Sequence, residues 1–119
     1  MKTILVIDDE KPTLSMFRLL LKAMDYEVLL AGSGEEGIAL FEQNKPDVVI
    51  TDIKMPGMDG FEVIKAIREM DAGVPFIIIT GHGDVSQTEE AALSDTVGFI
   101  NKPLQRDALE EALEKAFAS

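Results

Sequence analysis

The chain has no cysteine and no tryptophan among its 119 residues, and only one tyrosine and one histidine. Without cysteine there is no disulfide framework, no thiolate nucleophile and no cysteine-ligated zinc, which fits a reducing compartment. Basic residues are scarce: 11 Lys and Arg face 22 Asp and Glu, for a net charge of −11. Such a surface is repelled by phosphate backbones and anionic lipid, which argues against direct binding to nucleic acid or membranes. Long apolar runs are missing too, since charged residues interrupt each one well short of the ~18 residues that a membrane span needs. Met1-Lys2 lead straight into a strand-like run with no secretory h-region, so a cytoplasmic location is expected. Nine glycines and five prolines are scattered singly and 46% of residues are hydrophobic, which excludes a collagen-like, low-complexity or disordered chain. A single domain spanning residues 1–119 is the expectation.

What the chain does have is a regular alternation. Five short apolar runs recur, at Ile4 to Ile7, Val28 to Leu30, Val48 to Ile50, Phe76 to Ile79 and Val97 to Ile100. They are β-branched and continuous, the pattern of strands buried on both faces. Segments with helical spacing lie between them. Leu14, Phe17, Leu21 and Met24 share one face behind Pro12, a residue suited to a first helical turn. Ser33 with Glu36, and Asp59 with Glu62, form capping patterns that open a second and a third helix. A fourth segment, about Asp84 to Leu93, has a weak stripe, and the last carries Leu109, Ala112, Leu113 and Ala116 on one face. Strands alternating with helices imply right-handed crossovers and a parallel sheet covered on both sides, a (βα)5 chain of α/β class.

In open α/β sheets the working groups lie beyond the carboxyl ends of the strands. Here the first strand ends in Asp8-Asp9-Glu10, the third in Thr51-Asp52, the fourth in Thr80-Gly81 and the fifth in Asn101-Lys102-Pro103. Only the second ends without a reactive group, at Ala31-Gly32. A strand order of 2-1-3-4-5 makes that strand an edge far from a site shared by the others, and brings Asp8, Asp9 and Asp52 together. A lone acid after a strand is an ordinary helix cap; four strand ends converging on one chemistry are not. Two carboxylates ~4 Å apart repel by ~4 kcal/mol at an effective dielectric of ~20. Oxygen-only donors select a hard cation such as Mg²⁺ to neutralise them. With Lys102 as a second cation and Thr80 as a hydroxyl donor, Asp52 is suited to attack a phosphoryl group and form an acyl phosphate. Met55-Pro56-Gly57 and Asp59-Gly60 read as turn chemistry near the cation, the six methionines as core filler, and His82 as a loop histidine with no proton-transfer role.

Four motifs, V-I-D-D-E at 6–10, D-I-K-M-P-G-M-D-G at 52–60, I-T-G-H-G at 79–83 and F-I-N-K-P-L at 99–104, strongly resemble the receiver domain of two-component response regulators. That family includes the chemotaxis response regulator, and the resemblance covers essentially the whole chain. It implies a flavodoxin-like fold with a five-stranded parallel sheet and helices on both faces. It implies that Asp52 is the phosphoacceptor, that Asp9, Asp52 and the Lys54 backbone carbonyl hold Mg²⁺, and that Asp8 acts on the ion through water. Thr80 and Phe99 would form the switch pair, Lys102 would contact the phosphoryl group, and the Lys102-Pro103 peptide would be cis. The partners implied are a sensor histidine kinase or phosphotransfer protein, an output domain or effector protein, and a second copy in a phosphorylation-dependent homodimer. Such a domain catalyses only its own phosphorylation and slow dephosphorylation. Asp95-Thr96 departs from the family, which commonly has Gly-Ala there; aspartate accepts the left-handed conformation at a helix end less freely than glycine.

Two other readings share the same groups. A Mg²⁺-dependent aspartyl-phosphate phosphatase of small molecules generally carries a D-x-D pattern after its first strand and a cap domain, whereas this chain has adjacent Asp8-Asp9 and no cap. Flavin binding needs a Ser/Thr/Gly phosphate loop after the first strand, where Asp8-Asp9-Glu10 would repel the FMN phosphate.

Overall fold

The computed structural model describes residues 1–81 and 98–118. Along the chain these form β1 (Thr3–Ile7), α1 (Lys11–Ala23), β2 (Glu27–Ala31), α2 (Gly34–Asn44), β3 (Val48–Asp52), α3 (Gly60–Met70), β4 (Phe76–Thr80), β5 (Gly98–Asn101) and α4 (Arg106–Ala118). The strands build one parallel sheet in the expected order β2-β1-β3-β4-β5, which leaves the bland end of the second strand at an edge. The expected helical segment from Asp84 to Leu93, together with His82, Asp95-Thr96 and Val97, lies outside the described residues.

Neighbouring residues of one strand divide between two cores. Leu5, Ile7, Val49 and Ile78 face Phe41 of α2 and Val63 and Ile67 of α3. Ile4, Val6, Ile50, Ile77 and Ile79 face Phe17 and Leu21 of α1 and Leu109 and Leu113 of α4. Both faces of the central strands are therefore buried, which is why their apolar runs are continuous rather than alternating. Each fully buried aliphatic or aromatic side chain contributes roughly 1.5–3 kcal/mol, so the rigidity of the strand ends rests on these two layers.

The helix starts aim the loops at the carboxyl edge. Asp59 and Glu62 form a complete capping box, the Asp59 side chain accepting from Glu62 N and the Glu62 side chain accepting from Asp59 N. At α2 the Ser33 hydroxyl accepts from Glu36 N as expected, but the Glu36 carboxylate accepts from Gly32 N, one residue earlier than in the usual box. Glu10, at the start of α1, makes no side-chain cap; Pro12, which has no amide to satisfy, sits in the first turn. Between β3 and α3 the chain turns sharply through Gly57, whose φ of +73° favours glycine. It then returns so closely that Gly60 N donates to Ile53 O at 2.9 Å. A Cβ on Gly60 would run into the Asp52 carbonyl oxygen and come within 2.8 Å of Ile53 Cα, so α3 begins pressed against the end of β3.

Candidate functional site

Asp8 follows β1 and is wholly buried. Its amide still pairs with Ala31 O at 3.0 Å, but its Oδ1 accepts from Glu10 N at 2.8 Å, an Asx turn that bends the chain out of the pleat. That turn decides which acids face inward. Asp8, Glu10 and Asp52 each offer a carboxylate oxygen within 4.8 Å of the others, whereas Asp9 is exposed and stands outside this group. In an extended chain Asp8 and Asp9 point in opposite directions and Glu10 shares the side of Asp8, and across the Asx turn Glu10 stays over the crevice while Asp9 does not join it.

Asp52 ends β3 and is 2% exposed. Its Oδ1 accepts from Ile53 N at 2.8 Å and its Oδ2 from Lys102 Nζ at 3.0 Å. Lys102 reaches the pocket from the far side, its backbone amide pinned to Thr80 O at 2.8 Å; its peptide to Pro103 is cis, as the resemblance implied. The ammonium also donates to Glu10 Oε1 at 2.7 Å and lies 3.4 Å from Asp8 Oδ2. One cation thus serves three carboxylates. Asp8 Oδ2 nonetheless accepts no hydrogen bond, and it is the one orphaned buried side-chain polar atom among the described residues.

The charges respond to this crowding. Burial, reinforced by the charge on Asp52, pushes the Asp8 carboxyl up to about 6 despite the Glu10 amide and Lys102. Burial also raises Asp52, against the pull of Lys102 and of the Ile53 and Lys54 amides. Burial would lower Lys102, but its bonds to Glu10 and Asp52 outweigh that and hold it well above the usual lysine range. An all-oxygen donor set with an orphaned buried acceptor and a carboxylate that resists ionisation fits a hard divalent cation, so the cluster could hold a metal. Lys54 is exposed on the turn after Asp52.

Thr80 ends β4, 6% exposed, and its hydroxyl donates to Asn101 Oδ1 at 3.1 Å across the β4–β5 register. Phe99, two residues earlier on β5, is half-buried against the core beneath α2 and α3. Glu10 and Asn101 are the two site residues to which the sequence reading assigned no role. Both stood in the polar strand ends, where alternation sets Glu10 on the side of Asp8 and Asn101 on the side of Phe99, but the partners that fix them, Lys102 and Thr80, are distant in sequence.

A doubly wound parallel sheet whose carboxyl edge gathers buried acids around one lysine defines a switch-point domain of the open α/β class. Residues 4–114 match the response regulator receiver domain family, and the chain belongs to it. It is 34% identical over 113 residues to the transcriptional regulatory protein GlrR of Escherichia coli K12, covering 95% of this chain and 26% of that protein. It is 33% identical over 114 residues to the transcriptional regulatory protein FixJ of Rhizobium meliloti, covering 96% of this chain and 56% of FixJ. This chain therefore spans about a quarter of the length of GlrR and just over half that of FixJ. Among solved structures it resembles a receiver domain protein of Clostridium thermocellum with a TM-score of 0.90 at 36% identity, covering 99% of this chain and 95% of that one. The chemotaxis protein CheY4 of Vibrio cholerae matches with a TM-score of 0.90 at 28% identity, covering 98% of both chains. As a receiver domain the chain is a phosphorylation-dependent signalling switch, and these likenesses do not favour the small-molecule phosphatase.

Proposed function

We propose that Asp52 is the phosphoacceptor and that it takes its phosphoryl group from a phosphohistidine of a sensor histidine kinase or phosphotransfer protein. The observation that carries this reading is the buried Asp52 carboxylate held at 3.0 Å by Lys102 in a pocket with excess negative charge. In the transfer a carboxylate oxygen of Asp52 attacks phosphorus, the N–P bond breaks, and the imidazole leaves with the bonding pair and regains a proton. Hydrolysis of the resulting acyl phosphate resets the domain, so the chemistry acts on the domain itself and the chain is not an enzyme for external substrates. Lys102, already at the Asp52 oxygen, moves to the transferred oxygens and offsets their charge. The ion we infer is Mg²⁺, held by Asp8 and Asp52 of the cluster together with the Lys54 carbonyl, with Glu10 close enough to join them; Asp9, exposed beside the cluster, would reach the ion only by turning inward. When bound, it neutralises the carboxylates and the phosphoryl oxygens together.

The output follows from the same strand ends. Phosphorylated Asp52 offers new acceptors to the Thr80 hydroxyl, whose movement vacates space beside β4 that Phe99 fills by turning inward. Coupling of this kind is commonly ~1–3 kcal/mol, enough for roughly 5- to 150-fold changes in partner affinity. The partners we infer are an output domain or effector protein of a regulator working in the cytoplasm, and a second phosphorylated copy in a homodimer; GlrR and FixJ are transcriptional regulatory proteins.

The test is incubation with phosphoramidate and Mg²⁺ followed by mass spectrometry. One phosphoryl group on Asp52 is expected, with Asp52→Asn unmodified. Stoichiometric labelling that survives in Asp52→Asn overturns the assignment.

A further inference from the structure

The Thr80–Asn101 hydrogen bond has a consequence for the switch. A threonine hydroxyl has one proton to donate. Here that proton goes to Asn101 Oδ1, at 3.1 Å. The same hydroxyl cannot at once donate to a phosphoryl oxygen on Asp52, so the two acceptors compete. We propose that Asn101 is a positioning residue that holds the Thr80 hydroxyl in its resting orientation and thereby sets how readily the domain switches. This inference rests on the Asp52 and Thr80 assignments above.

The placement of Asn101 suits the task. It faces Thr80 directly in the β4–β5 register, follows Phe99 by two residues on the same face of β5, and precedes Lys102. One strand end thus carries the aromatic group, its restraint and the cation. Thr80 is buried while Asn101 is exposed, so water can take over the Asn101 amide once the hydroxyl leaves, and the restraint breaks at modest cost. A purely structural role would leave the asparagine as a filler that satisfies a buried hydroxyl. The two roles differ in what removal does to ligand binding. If the bond opposes switching, its loss enlarges the switch-competent fraction, and apparent affinity for a phosphoryl mimic rises by the same factor. A neutral hydrogen bond of ordinary net strength corresponds to about 2- to 12-fold.

The experiment titrates beryllofluoride with Mg²⁺ into wild type, Asn101→Ala and Asn101→Leu, and repeats Asn101→Ala in a Thr80→Ala background, following backbone amides by NMR. Asn101→Leu keeps the side-chain bulk without the acceptor. Both single variants are expected to bind about 2- to 12-fold more tightly. Before any ligand, amides 98–102 are expected to lie part-way towards their bound positions, and in the Thr80→Ala background the Asn101 substitution is expected to change nothing. Unchanged affinity in both single variants, with Thr80→Ala still confining the shifts to the Asp52 pocket, overturns the restraint and leaves the switch standing. Equal tightening in the Thr80→Ala background overturns it as well, because Asn101 would then act by another route. Far shifts that persist in Thr80→Ala alone mean that the switch reading itself has failed.

Discussion

Replacing Asp8 by asparagine is expected to stabilise the domain, and to do so only above mildly acidic pH. Asp8 is wholly buried, and its carboxyl is raised from 3.8 to about 6 chiefly by that burial. The raised value already includes the attraction of Lys102 3.4 Å away, so the net effect of ionising the group in the folded state is unfavourable. Below about pH 4 the carboxyl is protonated in both folded and unfolded chains and contributes nothing. Between there and about pH 6 the folded state binds more protons, so stability falls as pH rises. Above that range the full penalty is present, on the order of 3 kcal/mol for a carboxyl raised from 3.8 to about 6. Asparagine is the isostere of the neutral acid and can still accept from Glu10 N, so it preserves the Asx turn and removes the charge.

At pH 7.5 the variant is therefore expected to melt roughly 10 °C above wild type, at about 4 °C per kcal/mol for a domain of this size. At pH 4 the gap closes. Mg²⁺ narrows it by about half from the other side, since an ion at ten times its dissociation constant adds ~1.4 kcal/mol to wild type, and the variant has lost one of its ligands. Thermal unfolding followed by circular dichroism from pH 4 to 7.5, with Mg²⁺ or with chelator, measures each quantity. A gap that is the same at both ends of the pH range, or a variant that melts below wild type at pH 7.5, refutes the claim that ionised Asp8 is held at a cost.

Lys102→Ala is expected to tighten Mg²⁺ binding at least about tenfold, since the ammonium 3.0 Å from Asp52 competes for the oxygens the ion needs; calorimetric titration reads this, and unchanged affinity would contradict it. The same variant is expected to propagate beryllofluoride shifts poorly beyond Asp52. Gly60→Ala is expected to lose about 1–3 kcal/mol, a fall of several degrees in melting temperature, because the new methyl meets the Asp52 carbonyl oxygen and Ile53 backbone. Phosphoramidate labelling of that variant is expected to slow as well, and a variant that melts and labels like wild type would show that α3 can move aside freely.

Much of the fold was legible because its causes are local or periodic. Strands buried on both faces must read as continuous apolar runs, and β3 and β4 are buried at every position. Asp59 and Glu62 cap α3 as their spacing implied. Strand order followed from the family resemblance rather than from the residues, and the unreactive end of β2 and the acids of β1 and β3 are what that order leads one to expect. Legibility stopped where the chain leaves regular structure. Which acids enter the pocket depends on the turn that Asp8 makes with its own chain two residues on, and Glu10 rather than Asp9 joins the cluster as a result. Lys102 reinforces the choice, because its 2.7 Å bond to Glu10 holds that side chain over the pocket. The partner of the Thr80 hydroxyl was hidden for a different reason, since it is set by pairing between strands 21 residues apart in sequence.

The features that resisted reading share a physical origin. Local preferences favour structures in which each group is satisfied, and this pocket is not one of them: three carboxylates share one ammonium, and one buried oxygen accepts nothing. Folding alone can relieve that strain only by keeping Asp8 protonated, which neutral pH opposes. What relieves it fully is a positive charge brought from outside, together with a group whose oxygens then occupy Lys102. The free energy withheld on folding is in this way available to binding, and a domain whose stability rises when its pocket is filled has a built-in means of making occupancy felt at Thr80 and along β5.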